Sequence, residues 1–320
     1  MGRNASLLRE FFPSLVLVVF FRLEQAVTGQ IVLNTWNFQG ANAEAYRVIQ
    51  TNDSLDSLVA GLTWCEDHQC DGTVGPGGSP NENGDVTLDS MLMDADTRNV
   101  GAVASMYNIS HAARVARRVL EDTYHSLLVG ADATAFALRE GFQLATLRTE
   151  RTDAKWAAWV AGGRVPNHWV AGAPGEVEGH DTIGMIARDG AGRLVCGTST
   201  NGLTWRVPGR VGDSPLPGAG AYCEAGGGAC VATGDGDVIL RFAPCARAVW
   251  AMRRLGLGPR AACEAALEDM AALYPEAMAG VVCLGPDGRA HGGAKTRGNF
   301  AYCVSSPETG GAVEVVHVSG

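Results

Sequence analysis

The sequence contains neither CxxC nor HExxH, and its one tight Cys/His group is Cys65 and Cys70 flanking His68. With no second Cys/His pair to complete four ligands, a metal centre is disfavoured and a local Cys65–Cys70 disulfide is expected. No Lys/Arg-rich run is present and the net charge is −9, which removes the electrostatic basis for binding nucleic acid. Glycine is abundant, at 42 of 320 residues, yet no G-X-Y period exists and collagen is excluded. That much glycine also argues against a helical bundle and for tight turns between strands. Gly292-Gly293-Ala294-Lys295-Thr296 invites a phosphate-loop reading, but alanine stands where the loop needs glycine before lysine. Beyond the N-terminus no apolar run reaches membrane length, so the mature chain is expected to be soluble, with no membrane partner.

At the N-terminus, Arg3 and Arg9 precede the apolar run Phe11 to Phe21, and a polar stretch follows to Gly29. This is the layout of a secretory signal peptide, with cleavage expected near Gly29 after residues 1–29. A signal anchor or a buried N-terminal helix is the alternative. Nine cysteines fit an oxidising route, and the odd count leaves at least one unpaired. Cys223 with Cys230 and Cys263 with Cys283 are further plausible pairs, whereas Cys196, Cys245 and Cys303 read as buried thiols. Asn52-Asp53-Ser54 and Asn108-Ile109-Ser110 are glycosylation sequons that this route would make usable.

Strands are predicted at Ile31–Trp36, Val86–Met93, Val100–Met106 and Ser126–Val129, with helices at Ala41–Ile49, Ser54–Cys65, His111–Asp122 and Ala131–Gly141. Residues 145–180 have no clear period and read as a linker. Next come an apparent hairpin of Ile183–Arg188 and Leu194–Thr198, a glycine-rich loop, and strands at Ala229–Thr233 and Val238–Phe242. Helices at Cys245–Arg254 and Arg260–Leu273, then strands at Gly280–Leu284, Asn299–Val304 and Val313–Val318, close the chain. Strands and helices come in blocks rather than in strict βαβ alternation. That favours an α+β architecture of packed, mainly antiparallel sheets with helices outside.

The linker meets the first of these later strands at Gly179-His180-Asp181-Thr182-Ile183-Gly184. Left intact, Thr182 merely starts a strand. If the Asp181–Thr182 bond breaks, Thr182 carries a hydroxyl and an α-amine together, a nucleophile with its own base, since such an amine titrates at about 7.7–8.0. Downstream lie Gly197-Thr198-Ser199-Thr200-Asn201-Gly202, Gly209-Arg210-Val211-Gly212-Asp213-Ser214-Pro215, Gly218-Ala219-Gly220-Ala221-Tyr222 and Ala232-Thr233-Gly234-Asp235-Gly236-Asp237. Upstream lie Asn34-Thr35-Trp36, Cys70-Asp71-Gly72-Thr73-Val74-Gly75, Gly77-Gly78-Ser79-Pro80 and Thr87-Leu88-Asp89. In order and spacing these motifs closely resemble glycosylasparaginase (aspartylglucosaminidase), a lysosomal N-terminal-nucleophile hydrolase, from about Ile31 to the C-terminus.

The resemblance implies a four-layer αββα sandwich cut into chains of residues 30–181 and 182–320, which stay associated as an (αβ)2 heterotetramer. It implies autoproteolysis at Thr182 assisted by His180 and Asp181, then attack by Thr182 on the side-chain amide of a glycosylated asparagine. Thr200 and Thr73 correspond to residues that support the nucleophile, although serine is commoner at the Thr73 position. Thr233 and Gly234 correspond to the oxyanion hole, the Gly236 carbonyl to an ammonium contact, and Trp36 to the lining of the substrate funnel. Charge logic agrees for two residues: Arg210 suits a substrate carboxylate and Asp213 suits an ammonium. Taken alone, Arg210 and Asp213 would be a surface ion pair worth under about 1 kcal/mol. No metal and no cofactor is called for. The rival functions are the isoaspartyl peptidase/L-asparaginase branch of the same superfamily and a non-catalytic amino-acid or glycan-binding relative.

Overall fold

A computed structural model describes residues 29–165 and 182–319. The expected signal peptide, the end of the linker, His180 and Asp181 therefore lie outside the described residues. Strand β1 (Ile31–Thr35) leads into helices α1 (Gln39–Ile49) and α2 (Ser54–His68), then the antiparallel pair β2 (Thr87–Asp94) and β3 (Val100–Tyr107). Helix α3 (Ala112–Asp122), strand β4 (Leu127–Val129) and helices α4 (Gly130–Arg139) and α5 (Glu150–Ala161) complete the part before Thr182. After it come the hairpin β5 (Ile183–Arg188) and β6 (Leu194–Thr200), then β7 (Ala221–Glu224) and β8 (Gly228–Gly234). Helices α6 (Gly236–Phe242), α7 (Pro244–Leu255) and α8 (Pro259–Leu273) precede β9 (Ala279–Leu284), β10 (His291–Lys295), β11 (Ala301–Ser305) and β12 (Glu314–His317).

The strands form one sheet in the order β12-β11-β1-β5-β6-β2-β3-β4 and another in the order β10-β9-β8-β7. Every ladder is antiparallel except β3–β4. Period-two alternation sorts the side chains into three cores. Val32, Leu92, Val103 and Met185 point to helices α1–α4 on the outside of the large sheet. Leu33, Met91, Ile186 and Cys196 point the other way and meet Val231, Val282 and Leu284 of the small sheet. Cys230, Ala232 and Val281 leave the far side of the small sheet and pack under α7 and α8. The result is the expected four-layer αββα sandwich. Helix starts follow local chemistry: the Asp53 side chain caps α2 by accepting the Asp56 N–H at 2.9 Å, and proline occupies the first turn of α7 and α8. Among the described residues no helix is long and apolar enough to cross a membrane.

Three sequence expectations are corrected, and one strand was not foreseen. Val238–Phe242, predicted as a strand from its branched residues, belongs to helix α6, where Ile239 is buried while Leu240 and Arg241 are exposed. Residues 145–180 are not a featureless linker, because α5 lies within them. Thr152 is the single fully buried residue of α5, so no apolar period marked it, and a Thr149–Thr152 capping box starts it. Strand β7 stands in the stretch read as a glycine-rich loop, and β10 in a stretch for which no element was predicted.

The disulfide map changes as well. Cys65–Cys70 and Cys263–Cys283 are bonded, but Cys223 and Cys230 are free. Their strands pair with Cys223 opposite Ala229 and Tyr222 opposite Cys230. The two sulfurs therefore face opposite sides of the small sheet, Cys223 between the sheets and Cys230 under the helices. Cys196, Cys245 and Cys303 are buried free thiols, as expected.

Candidate active site

The site lies between the two sheets, where β5 begins. Ile183 pairs with Ser199 across the β5–β6 ladder, a register that sets Thr182, one residue earlier, beside Thr200. Thr182 is only 2 % exposed, so its polar atoms must find partners inside the protein. Its carbonyl accepts the Thr35 hydroxyl at 2.8 Å, and the same hydroxyl oxygen accepts the Gly184 N–H at 2.9 Å. Thr35 thus bridges the backbone on both sides of Ile183 and fixes the strand's first residues to β1. The Thr182 nitrogen donates to Thr233 Oγ1 at 3.1 Å, and Thr182 Oγ1 lies 3.3 Å from Ser214 Oγ. Ser214 is itself held by its carbonyl, which accepts the Thr198 hydroxyl at 2.6 Å.

Thr233 sits at the end of β8, fully buried, and Trp36 reaches it from the end of β1 through an indole N–H bond of 2.9 Å. The next residue, Gly234, has φ +124°, a conformation reserved for glycine, and a Cβ there would stand 2.3 Å from the Met278 carbonyl oxygen. Glycine is therefore what allows the last residue of β8, directly after Thr233, to lie so close to β9.

Arg210 and Asp213 flank the same region. Arg210 does not pair with Asp213; its Nε and Nη2 bond Asp237, at 3.2 Å and 2.9 Å to the nearer oxygen. That leaves the Nη1 side of the guanidinium uncommitted to Asp237. Asp213 is fully buried and its Oδ2 has no hydrogen-bond partner. Burial raises its carboxyl to about 7, against the opposing pull of the Arg210 charge. At Gly236 a Cβ would lie 2.7 Å from Asp213 Oδ1 and 3.0 Å from Arg210 Nη2. Only glycine fits there, because any side chain would press on both charges.

Thr200 is buried at the end of β6, with its hydroxyl accepting the Gly202 N–H at 3.0 Å. Thr73 donates to Asp71 at 2.6 Å, and its carbonyl accepts the Asn201 N–H at 2.9 Å, which ties its loop to the end of β6. A cavity of about 410 Å³ opens on this side, lined by Asp71, Thr73, Arg151 and Lys155 among others. Thr182, Thr200, Thr233, Gly234, Arg210, Asp213, Gly236 and Trp36 thus converge on one region, with Thr73 at its edge. Sequence reasoning assigned no part to Thr35, Ser214 or Asp237. Each lay inside a quoted motif, but only the packing of β1 against β5 and of α6 against Arg210 gives it a partner.

Two face-to-face, mainly antiparallel sheets with helices outside, and a threonine at the head of an inner strand, define the N-terminal-nucleophile hydrolase class of fold. Within that class the chain belongs to the asparaginase family, whose model matches residues 15–314. It is 41 % identical to N(4)-(beta-N-acetylglucosaminyl)-L-asparaginase of Rattus norvegicus, over 79 % of this chain and 80 % of the rat protein. It is 40 % identical to the Mus musculus protein of the same name, over 86 % of this chain and 88 % of the mouse protein. The chain is accordingly an amidohydrolase.

Proposed function

We propose that the protein is an N4-(β-N-acetylglucosaminyl)-L-asparaginase that activates itself by cleavage at Thr182 and then cuts the sugar–asparagine amide in glycoprotein breakdown. The observation that carries this reading is the pair of hydroxyls on Thr182, with Thr233 at its nitrogen and Ser214 at its oxygen. In the precursor, Thr182 Oγ1 attacks the Asp181 carbonyl carbon, the peptide nitrogen leaves, and water hydrolyses the resulting ester. His180 and Asp181 assist by straining and polarising the bond. The freed α-amine now holds one hydrogen on Thr233 Oγ1 and takes the proton of the Thr182 hydroxyl as that oxygen attacks the substrate amide carbon.

The developing oxyanion is met by the Thr233 O–H and the Gly234 N–H, one such donor being worth roughly 3–4 kcal/mol. The amine passes its proton to the departing glycosylamine, and water releases aspartate from the ester. Arg210 takes the substrate carboxylate on its Nη1 side, while Asp213 and the Gly236 carbonyl take the ammonium. Thr200 and Thr73 support the nucleophile, and Trp36 borders the funnel. The two chains, 30–181 and 182–320, remain together, assemble as an (αβ)2 heterotetramer, and work in the lysosome after entry into the secretory pathway.

N-terminal sequencing tests the first step: a second chain beginning at Thr182 is expected, and Thr182→Ala should remain uncut and inactive. An intact, inactive wild-type chain would sink the proposal. Substrate choice is tested by comparing aspartate release from sugar-linked asparagine with release from a β-aspartyl dipeptide. A strong preference for the dipeptide would move the protein to the isoaspartyl peptidase branch.

A further inference from the structure

We infer that Trp36 is a positioning residue for the oxyanion donor: its indole N–H and the Thr182 nitrogen together fill both acceptor sites of Thr233 Oγ1, leaving that hydroxyl free only to donate. The inference rests on the reading of Thr182 given above. A threonine hydroxyl has one O–H and two lone pairs. Trp36 Nε1 approaches Thr233 Oγ1 at 2.9 Å and Thr182 N at 3.1 Å. Neither the indole nor the Thr182 amide of the uncut chain has a lone pair to accept with; after cleavage the α-amine keeps one N–H on this oxygen while its lone pair faces the Thr182 hydroxyl proton that it removes. Thr233 is fully buried, so no bulk water competes for the oxygen. Its proton must turn away from both donors, toward the region where Thr182 Oγ1 meets a substrate carbonyl.

The indole is held firmly enough to do this. Trp36 has φ +62°, a left-handed turn at the end of β1 that re-aims its side chain between the sheets. Its ring meets Phe300 edge-to-face, with centroids 5.3 Å apart and planes at 89°. Phe300 in turn lies over Gly280, where a Cβ would be 2.7 Å from the Phe300 ring, and Gly280 is the ladder partner of Thr233. The indole and the hydroxyl it meets are thus referenced to the same pair of strands. During acylation the Thr182 Oγ1–carbon bond forms, the carbonyl π pair moves to oxygen, and the Thr182 proton goes to the α-amine. The new oxyanion accepts from a Thr233 O–H already pointing outward, so no rotor has to be reorganised as the charge develops.

The test is a double-mutant cycle with a spectroscopic arm. Trp36→Phe keeps a ring against Phe300 and removes the N–H; kcat per cleaved molecule should fall about 10-fold, with KM changed less than about 2-fold. In a Thr233→Ala background the same change should cost less than about 2-fold, because its target is gone. Equal losses in both backgrounds would overturn the inference and leave Trp36 a packing residue. The spectroscopic arm needs neither cleavage nor turnover. The Trp36 indole N–H resonance, assigned by its loss in Trp36→Phe, should move upfield in Thr233→Ala and stay in place in Thr200→Ala; no shift in Thr233→Ala also overturns it. A wild-type chain uncut at Thr182 would instead count against the functional reading, while this arm still reports on the indole bond.

Discussion

Neighbouring residues of β6 look in opposite directions onto two buried carboxylates in different settings. Ser199 faces the helices and donates to Glu66 Oε1 at 2.7 Å, and the Ala113 N–H adds a bond to the same oxygen at 3.0 Å. Thr198 faces the small sheet and holds the carbonyl of Ser214, next to Asp213. Burial raises both acids, Glu66 to about 8 and Asp213 to about 7. Glu66 is stitched to β6 and α3 by two protein donors on Oε1, while its Oε2, like Asp213 Oδ2, has no partner. What sets Asp213 apart is the Arg210 guanidinium nearby and the close approach of Gly236, where a Cβ would lie 2.7 Å from its Oδ1. The first carboxyl is tied to the scaffold by its donors, whereas the second stands beside Arg210, next to the Ser214 that Thr182 meets.

The sharpest way to break this comparison is to remove each acid. Asp213→Ala should lower kcat/KM by roughly 10²–10³-fold, as expected for one partner of a buried charged contact, while Glu66→Gln stays within about 2-fold. Similar losses in steady-state kinetics would abolish the distinction. Stability should move the other way: Glu66→Ala leaves two donors and a cavity and should cost about 2–4 kcal/mol in denaturant unfolding. Asp213→Asn, which relieves an unpaired buried charge, should change unfolding by less than about 1 kcal/mol.

The pH dependences are smaller and separate the two again. If Asp213 takes the substrate ammonium as proposed, KM for α-amino substrates should rise as pH falls below about 7, by at most about 10-fold per unit, and Asp213→Asn should flatten that slope. For Glu66 the folded value lies above the unfolded 4.5, so the native state binds the extra proton in between. Its contribution is fully present below about 4.5 and is lost as pH rises through about 8. Unfolding free energy should therefore decline across that window by at most about 1.4 kcal/mol per unit. Glu66→Gln should remove the decline.

Much of the fold was legible because its signals are local. The β5–β6 hairpin, the Asp53 cap of α2 and the proline-led helices α7 and α8 each depend on residues a few positions apart. Helix α6 was misread because Val238-Ile239-Leu240 has strand-like composition and only seven residues in which to show a helical period. The Cys223–Cys230 pairing failed on a one-residue register that no spacing reveals. The site divides similarly. Residue types named Arg210 and Asp213 for opposite ends of a zwitterion, whereas the Arg210–Asp237 pair and the Thr35 bridge arise from contacts between distant elements.

The strand order carries a further consequence, in the molecularity of folding. β1 lies between β5 and β11, and β2 lies beside β6, so strands from before and after Thr182 interleave in the large sheet. A chain folding uncut assembles those ladders as a first-order process whatever its concentration. Once cut at Thr182, an unfolded molecule becomes two solutes, and recovery becomes second order and dilution-sensitive. The cleavage that creates the nucleophile would then also make unfolding, in practice, a one-way event, so that the working lifetime of the enzyme is set by its unfolding rate rather than by an equilibrium.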